Sequence, residues 1–352
     1  MKGGGAVIDA PATRSYLDLA LSATIVAGLY CTALCVARRG WAALFPPPLR
    51  DRFVRWGFAE IILAFVLLVA GPILMYRILS ACGLFRSLFG RDPDPTDLQS
   101  GPTLRCLIAW VSTLALPVNI VGALALVRFV SGARLRHLGI RLRRVLPGIA
   151  AGFIAWLLVT PAVFGLHIGV VALQQRLLHW PPTRHPLEQL LEINLLPVEW
   201  LLVVLQAVVL APIWEELLFR GLLLPRLAKH AWGGHAAWAA AAALAGMQLN
   251  KQLTLPSLLP LLFALALWIA GAVATARETG PYWKWRAILG SAALFALIHA
   301  PAWPTPIPLF PLAVALGWLA YRTRGIIAPI VLHALFNSVS TLLLLRGFHS
   351  GV

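Results

Sequence analysis

Apolar runs of about 20 residues, the length a helix needs to cross a hydrocarbon layer, recur along nearly the whole of this chain. Inside such a layer no water satisfies backbone N–H and C=O groups, so each run must close its hydrogen bonds internally, as a helix does. The expected spans are Tyr16–Ala37, Gly57–Ser80, Leu104–Val130, Leu146–Leu173, Leu195–Phe219, His235–Leu249, Leu258–Ala276, Ala287–Ala300, Ile307–Tyr321 and Ile326–Leu345. Several of the last five are short and rich in Pro and Gly, which is tolerated where protein or water covers the backbone. The fold class expected is therefore all-α, a polytopic transmembrane helical bundle of about 8–10 spans.

Composition agrees: of 352 residues 60% are hydrophobic and 12% charged, and the mean hydropathy is +0.81. A net charge of +16 raises the question of nucleic acid. The basic residues, however, fall in short clusters between the apolar runs, as in Arg38-Arg39, Arg134 to Arg144 and Arg226 to Lys229. That is the pattern of the positive-inside rule, so the partner implied is a lipid bilayer and no nucleic acid. The excess lies in alternate loops and puts those on the cytoplasmic side, probing for an integral protein of the plasma (inner) membrane with a site opening toward the cytoplasm. Tyr16–Ala37 is longer than a signal-peptide core and reads as an uncleaved anchor. Cys31, Cys35, Cys82 and Cys106 have neither disulfide nor zinc-knuckle spacing. Two polar, turn-rich connectors, Gly90–Pro102 and His179–Pro186, interrupt the chain, and His235–Met247 has the Ala and Gly content of close helix packing. Residues 1–130 are read as an N-terminal transmembrane region, and 131–352 as a core whose motifs lie within 201–345.

Ionisable groups inside apolar runs cost about 2.5–3.5 kcal/mol each on insertion scales and are functional by default. The run from Leu201 holds three, Glu215, Glu216 and Arg220. Glu216 and Arg220 are four apart with the acid first, the favourable order for a pair on one helix face. Glu215 is turned about a quarter-turn away and stays available. Two later runs carry polar residues at the same i, i+4 spacing, Phe295 with His299 and His333 with Asn337. Counted from the nearest basic cluster, Glu215, His299 and His333 lie roughly 14–21 Å deep, near the middle of the layer, so one cavity can hold all three. His167 lacks a polar partner at i±4 and reads as packing. Glu60 and Glu199 sit in first turns, where the helix dipole favours an acid. Trp303 with Pro301, Pro304, Pro306 and Pro308 reads as a stiff connector.

In this order, Glu215-Glu216-x-x-x-Arg220, Phe295-x-x-x-His299 and His333-x-x-x-Asn337 resemble the CPBP (Abi) family of intramembrane endopeptidases, which includes the type II CAAX proteases and bacteriocin-processing members. Gly221 and Ala328-Pro329 are similar to the family as well. The resemblance covers roughly 201–345, and the N-terminal spans look like an addition to the family's core. It implies peptide-bond hydrolysis without an acyl-enzyme. Glu215 would be the general base, His299 would help hold the attacking water, and His333 and Asn337 would stabilise the oxyanion. Glu216, Arg220 and Phe295 would support them. Acid–base work of this kind is typically worth about 10²–10⁴-fold, and one oxyanion donor about 10²–10³-fold. The reading is metal-free, since the chain has no HExxH. A zinc ion, if used, would take Glu215, His299 and His333. The substrate expected is a peptide or membrane-protein segment. Two other classes compete: a proton-coupled membrane transporter, in which Glu and His serve as a relay, and a catalytically silent scaffold or immunity protein. Polar residues spread through the membrane depth would mark the transporter, whereas here they gather at one level.

Overall fold

The structure, a computed structural model, describes residues 54–97, 100–179, 195–247, 255–278 and 284–349, together with Arg38. The expected span Tyr16–Ala37 and most of the His179–Pro186 connector lie outside the described residues. The described helices belong to the compact unit Pro48–Val352. They are α1 (Phe58–Ala81), a short α2 (Leu84–Phe89), α3 (Gly101–Val130), α4 (Val145–Leu178), α5 (Pro197–Leu227), α6 (Gly233–Met247), α7 (Leu255–Ala274), α8 (Lys284–Leu297), α9 (Pro306–Thr323) and α10 (Ile327–His349). Among the described residues every regular element is helical.

Six of these helices, α1, α3, α4, α5, α7 and α10, are long and apolar enough to cross a membrane. The other three expected spans are α6 with 15 residues, α8 with 14 and α9 with 18. Their shortness has a reason in their surroundings: α8 is buried at Ala287, Ile288 and continuously from Gly290 to Leu297, so protein rather than lipid covers it. The long helices instead present apolar side chains outward. Leu262, Leu265, Ile269 and Val273 make an exposed stripe on α7, and Ile62, Val66, Val69 and Ile73 one on α1. In water such stripes would drive association; against lipid tails they cost nothing.

Without a hydrophobic drive between helices, close packing has to hold the bundle. The Ala- and Gly-rich α6 does this against α8, burying Gly233, Gly234, Ala237, Ala241 and Ala245. A Cβ placed on Gly290 would stand 2.5 Å from the Gly234 carbonyl, so only glycine allows the two backbones to approach this closely. Further contacts join α4 to α10 and α9, α8 to α9, and α1 to α3. The first-turn acids do more than complement helix dipoles. Glu60 accepts from Gly57 N–H at 2.9 Å and from the Ser131 hydroxyl. Glu199 is fully buried and accepts from Leu196 N–H, from Arg105 Nε and Nη2 at 2.9 and 3.0 Å, and from Trp110 Nε1 at 3.1 Å. That group ties α3 to the start of α5.

Candidate functional site

The sequence expectation ended the fifth span at Phe219, yet α5 continues to Leu227. It does so through two π-helical segments, Gln206–Leu210 and Leu217–Leu223, which flank a short regular stretch, Ala211–Glu216, ending in the two glutamates. Each π segment lies just upstream of a proline. Pro212 and Pro225 have no N–H, and a proline ring collides with the carbonyl four residues back, here those of Val208 and Gly221. Widening the helix relieves the collision: Ala211 N–H donates to the Gln206 carbonyl and Leu224 N–H to that of Phe219, five residues back instead of four. Widened turns of this sort are frequent at functional sites.

Glu216, Arg220 and His333 form a closed group. Glu216 Oε1 accepts from Arg220 Nη1 at 2.8 Å and from His333 Nδ1 at 3.0 Å. Arg220 Nη2 donates to the Ala313 carbonyl at 3.1 Å, and its guanidinium lies 4.6 Å from the centre of the Phe295 ring. Neither Glu216 nor Arg220 has exposed side-chain surface. The pair thus reaches across α5 to α10, where its carboxylate holds the His333 ring. On the other edge of that ring, Nε2 stands 3.8 Å from Glu215 Oε2, which is beyond hydrogen-bond length. Glu215 keeps 24% of its side chain exposed, and its buried Oε2 has no hydrogen-bond partner among the described residues.

His299 is set by the end of α8. Its own N–H donates to Ala296 C=O at 3.1 Å, which leaves the Phe295 carbonyl without its usual helical donor. His299 Nδ1 fills that place at 2.9 Å. A carbonyl only accepts, so Nδ1 carries the hydrogen and Nε2 remains outside this bond. The Phe295 ring is the wall common to both histidines, with centroids 5.2 Å from His299 and 5.7 Å from His333. Asn337 follows His333 by one turn and donates from Nδ2 to the Ala207 carbonyl at 2.9 Å.

The fold therefore bonds Glu216 to Arg220 and His333, sets Glu215 3.8 Å from His333 Nε2, and brings Phe295 against Arg220, His299 and His333, with Asn337 one turn along α10. His167 has no part in this group. The zinc set weighed from the sequence is a different matter. Among the described residues no three His, Cys, Asp or Glu side chains are arranged to hold a metal ion; Glu216 engages His333 at Nδ1 and leaves Nε2, the nitrogen nearer Glu215, outside that bond.

Several contributors were not foreseen. Phe219 meets Phe295 edge-on at 84° and Phe65 of α1 at 89°. Buried Trp56, just before α1, donates from Nε1 to the Leu222 carbonyl inside the second π segment at 2.9 Å. Thr113 of α3 donates to Gln206 Oε1 in the first at 2.9 Å. The N-terminal region, taken from the sequence as an addition, thus touches the glutamate-bearing helix on both sides of the Ala211–Glu216 stretch. Neither contact has a local signal in the sequence: Leu222 lies three residues before Pro225, not four or five, and Thr113 meets a side chain, so both depend on which helices meet.

A family model described as type II CAAX prenyl endopeptidase, Rce1-like, matches residues 197–277 and 271–339. No curated protein and no solved structure matches the chain.

Proposed function

Because the C-terminal half of this chain belongs to the Rce1-like family of type II CAAX prenyl endopeptidases, which are peptide hydrolases, we propose that it cleaves a peptide bond of a membrane-associated substrate with a water activated by Glu215. The observation that carries the reading is the position of His333 between two carboxylates, Nδ1 at 3.0 Å from Glu216 and Nε2 at 3.8 Å from Glu215. Glu216 is fully buried with Oε1 taken by Arg220 and His333, whereas Glu215 Oε2 has no partner among the described residues and its side chain is 24% exposed.

In this mechanism Glu215 takes a proton from water as the oxygen bonds to the scissile carbonyl carbon, and His299 Nε2 accepts the second water hydrogen to orient it. The carbonyl oxygen becomes an oxyanion held by His333 Nε2–H and by the Asn337 amide. For Nε2 to donate while Nδ1 donates to Glu216, the ring must carry both protons. Charge balance accommodates this: two carboxylates face one guanidinium and one imidazolium. Collapse of the tetrahedral species breaks the C–N bond, and Glu215 returns its proton to the leaving amine. The products are a carboxylic acid and an amine, the acid then giving up its proton to the amine or to solvent, and no covalent acyl-enzyme forms. No step is routed through a metal.

The test uses purified protein in liposomes with an internally quenched peptide bearing an S-farnesyl cysteine. Glu215→Gln and His299→Ala are expected to lose about 10²-fold or more in kcat while keeping the wild-type thermal midpoint within a few degrees. A Glu215→Gln variant that turns over within about threefold of wild type would remove the general base and the mechanism with it.

A further inference from the structure

The first π segment sets an i to i−5 ladder in which Ala211 N–H donates to the Gln206 carbonyl. The next rung would run from residue 212 to the carbonyl of Ala207. Residue 212 is proline and has nothing to donate. The released carbonyl accepts Asn337 Nδ2 at 2.9 Å instead, and Pro212 itself is buried. A carboxamide nitrogen carries two hydrogens, and a terminal amide torsion is soft when nothing holds it. With one N–H fixed on Ala207, the amide plane is fixed, and the second N–H is what Asn337 can offer a reacting oxygen.

We infer that Pro212 is a positioning residue: by withholding a backbone N–H it frees the Ala207 carbonyl to orient Asn337. The inference deepens the protease reading above and rests on it for its effect on turnover. Pro212 touches no reacting atom; it acts through an absent donor, one residue type in twenty being able to do so. The consequence is a trade between fold and rate. Any other residue at 212 offers the ladder its missing hydrogen bond and competes with Asn337 for the same acceptor.

The experiment is a double-mutant cycle on Pro212→Ala and Asn337→Ala in the full chain, read by thermal midpoint in detergent and by kcat and KM on the farnesylated peptide. Pro212→Ala should hold or raise the midpoint, while kcat falls about tenfold and KM stays within about twofold. Asn337→Ala should lower the midpoint in the wild-type background and lower it by less than half as much in the Pro212→Ala background. In the Asn337→Ala background, Pro212→Ala should cost no further kcat. Additive midpoints, or a Pro212→Ala enzyme with wild-type kcat, overturn the inference. Should Pro212→Ala fail to fold, replacing Val208 by its α-hydroxy acid decides the matter. That change weakens the Ala207 carbonyl as an acceptor and leaves every side chain in place, so kcat should drop and KM should not; an unchanged kcat overturns the inference. Wild-type kcat in Asn337→Ala alone is a separate failure. It would remove the oxyanion role proposed for Asn337, while coupled midpoints would still uphold the link from Pro212 through Ala207.

Discussion

Replacing Arg220 by methionine removes the one cation that faces Glu216 within α5 and keeps most of the side-chain volume. In the wild type the guanidinium donates to Glu216 at 2.8 Å and to the Ala313 carbonyl at 3.1 Å, and covers Phe295 at 4.6 Å. Breaking a buried ion pair by deleting one partner costs about 3–5 kcal/mol, because the other charge is left stranded. The lost cation–π contact adds about 2 kcal/mol in a dry site. These contributions overlap, so the pair value is the floor. Against a total stability of about 5–15 kcal/mol, the variant loses a large part of its margin. Thermal unfolding in detergent micelles reads the loss. The decisive comparison is the double variant Glu216→Gln/Arg220→Met, in which a neutral amide still accepts from His333 Nδ1 and no charge is stranded. It should regain at least half of what Arg220→Met loses. A single variant within about 1 kcal/mol of wild type, or a double variant less stable than the single one, would refute the claim that these charges are buried as a unit.

The remaining expectations concern the frame around that unit. Trp56→Phe keeps a ring but leaves the Leu222 carbonyl without its 2.9 Å donor; a loss of about 1–3 kcal/mol is expected in a chemical-denaturation series. Arg105→Ala strands the fully buried Glu199 and should cost about 3–5 kcal/mol, and adding Glu199→Gln should restore part of it in the same melt. Gly290→Ala, whose Cβ would meet the Gly234 carbonyl at 2.5 Å, should destabilise by about 1–3 kcal/mol, whereas Gly246→Ala, with nothing within 4 Å, serves as the neutral control in the same melts. Prolonged treatment with a strong chelator followed by elemental analysis should leave hydrolysis of the farnesylated peptide intact with no zinc bound; loss of activity restored by added zinc would reverse that expectation.

Much of the candidate site was legible because its signals are local. A carboxylate pair with an arginine four residues on, and two polar pairs at the same spacing, stand out in apolar runs whose chemistry forbids casual charges. The partners of those residues were less legible, because they depend on which helices meet. Spacing on α5 joined Glu216 to Arg220, but only the packing of α10 shows that Glu216 also holds His333. The end of α5 was misplaced for a related reason. The apolar run was ended at Phe219, and the chain instead widens into a π turn and continues to Leu227. The acids Glu60 and Glu199 looked like dipole partners; their real acceptors' work lies with Ser131, Arg105 and Trp110, far away in sequence.

Buried polar groups in this bundle fall into two kinds, and the division bears on function. Glu199, with donors from Arg105, Trp110 and Leu196, has both carboxylate oxygens engaged, which is how a fold makes a buried charge tolerable and inert. Glu216 Oε1 shares two donors in the same manner. At the neighbouring position the accounting is left open: Glu215 Oε2 stands beside His333 Nε2 at 3.8 Å, too far to bond and too near to ignore. His299 spends Nδ1 on a helix-end carbonyl, and Asn337 spends one amide hydrogen on another. Left over are an acceptor on Glu215, a ring nitrogen on His299, and the second amide hydrogen and the carbonyl oxygen of Asn337. Glu216 Oε2 is also without a partner among the described residues, but Glu216 has no exposed surface, whereas Glu215 keeps 24% of its side chain exposed, so of the two carboxylates it is Glu215 that water can reach. The hydrolysis proposed above would draw on that set, a base, a group to orient water and a donor for the oxyanion, with substrate and water completing the bonds.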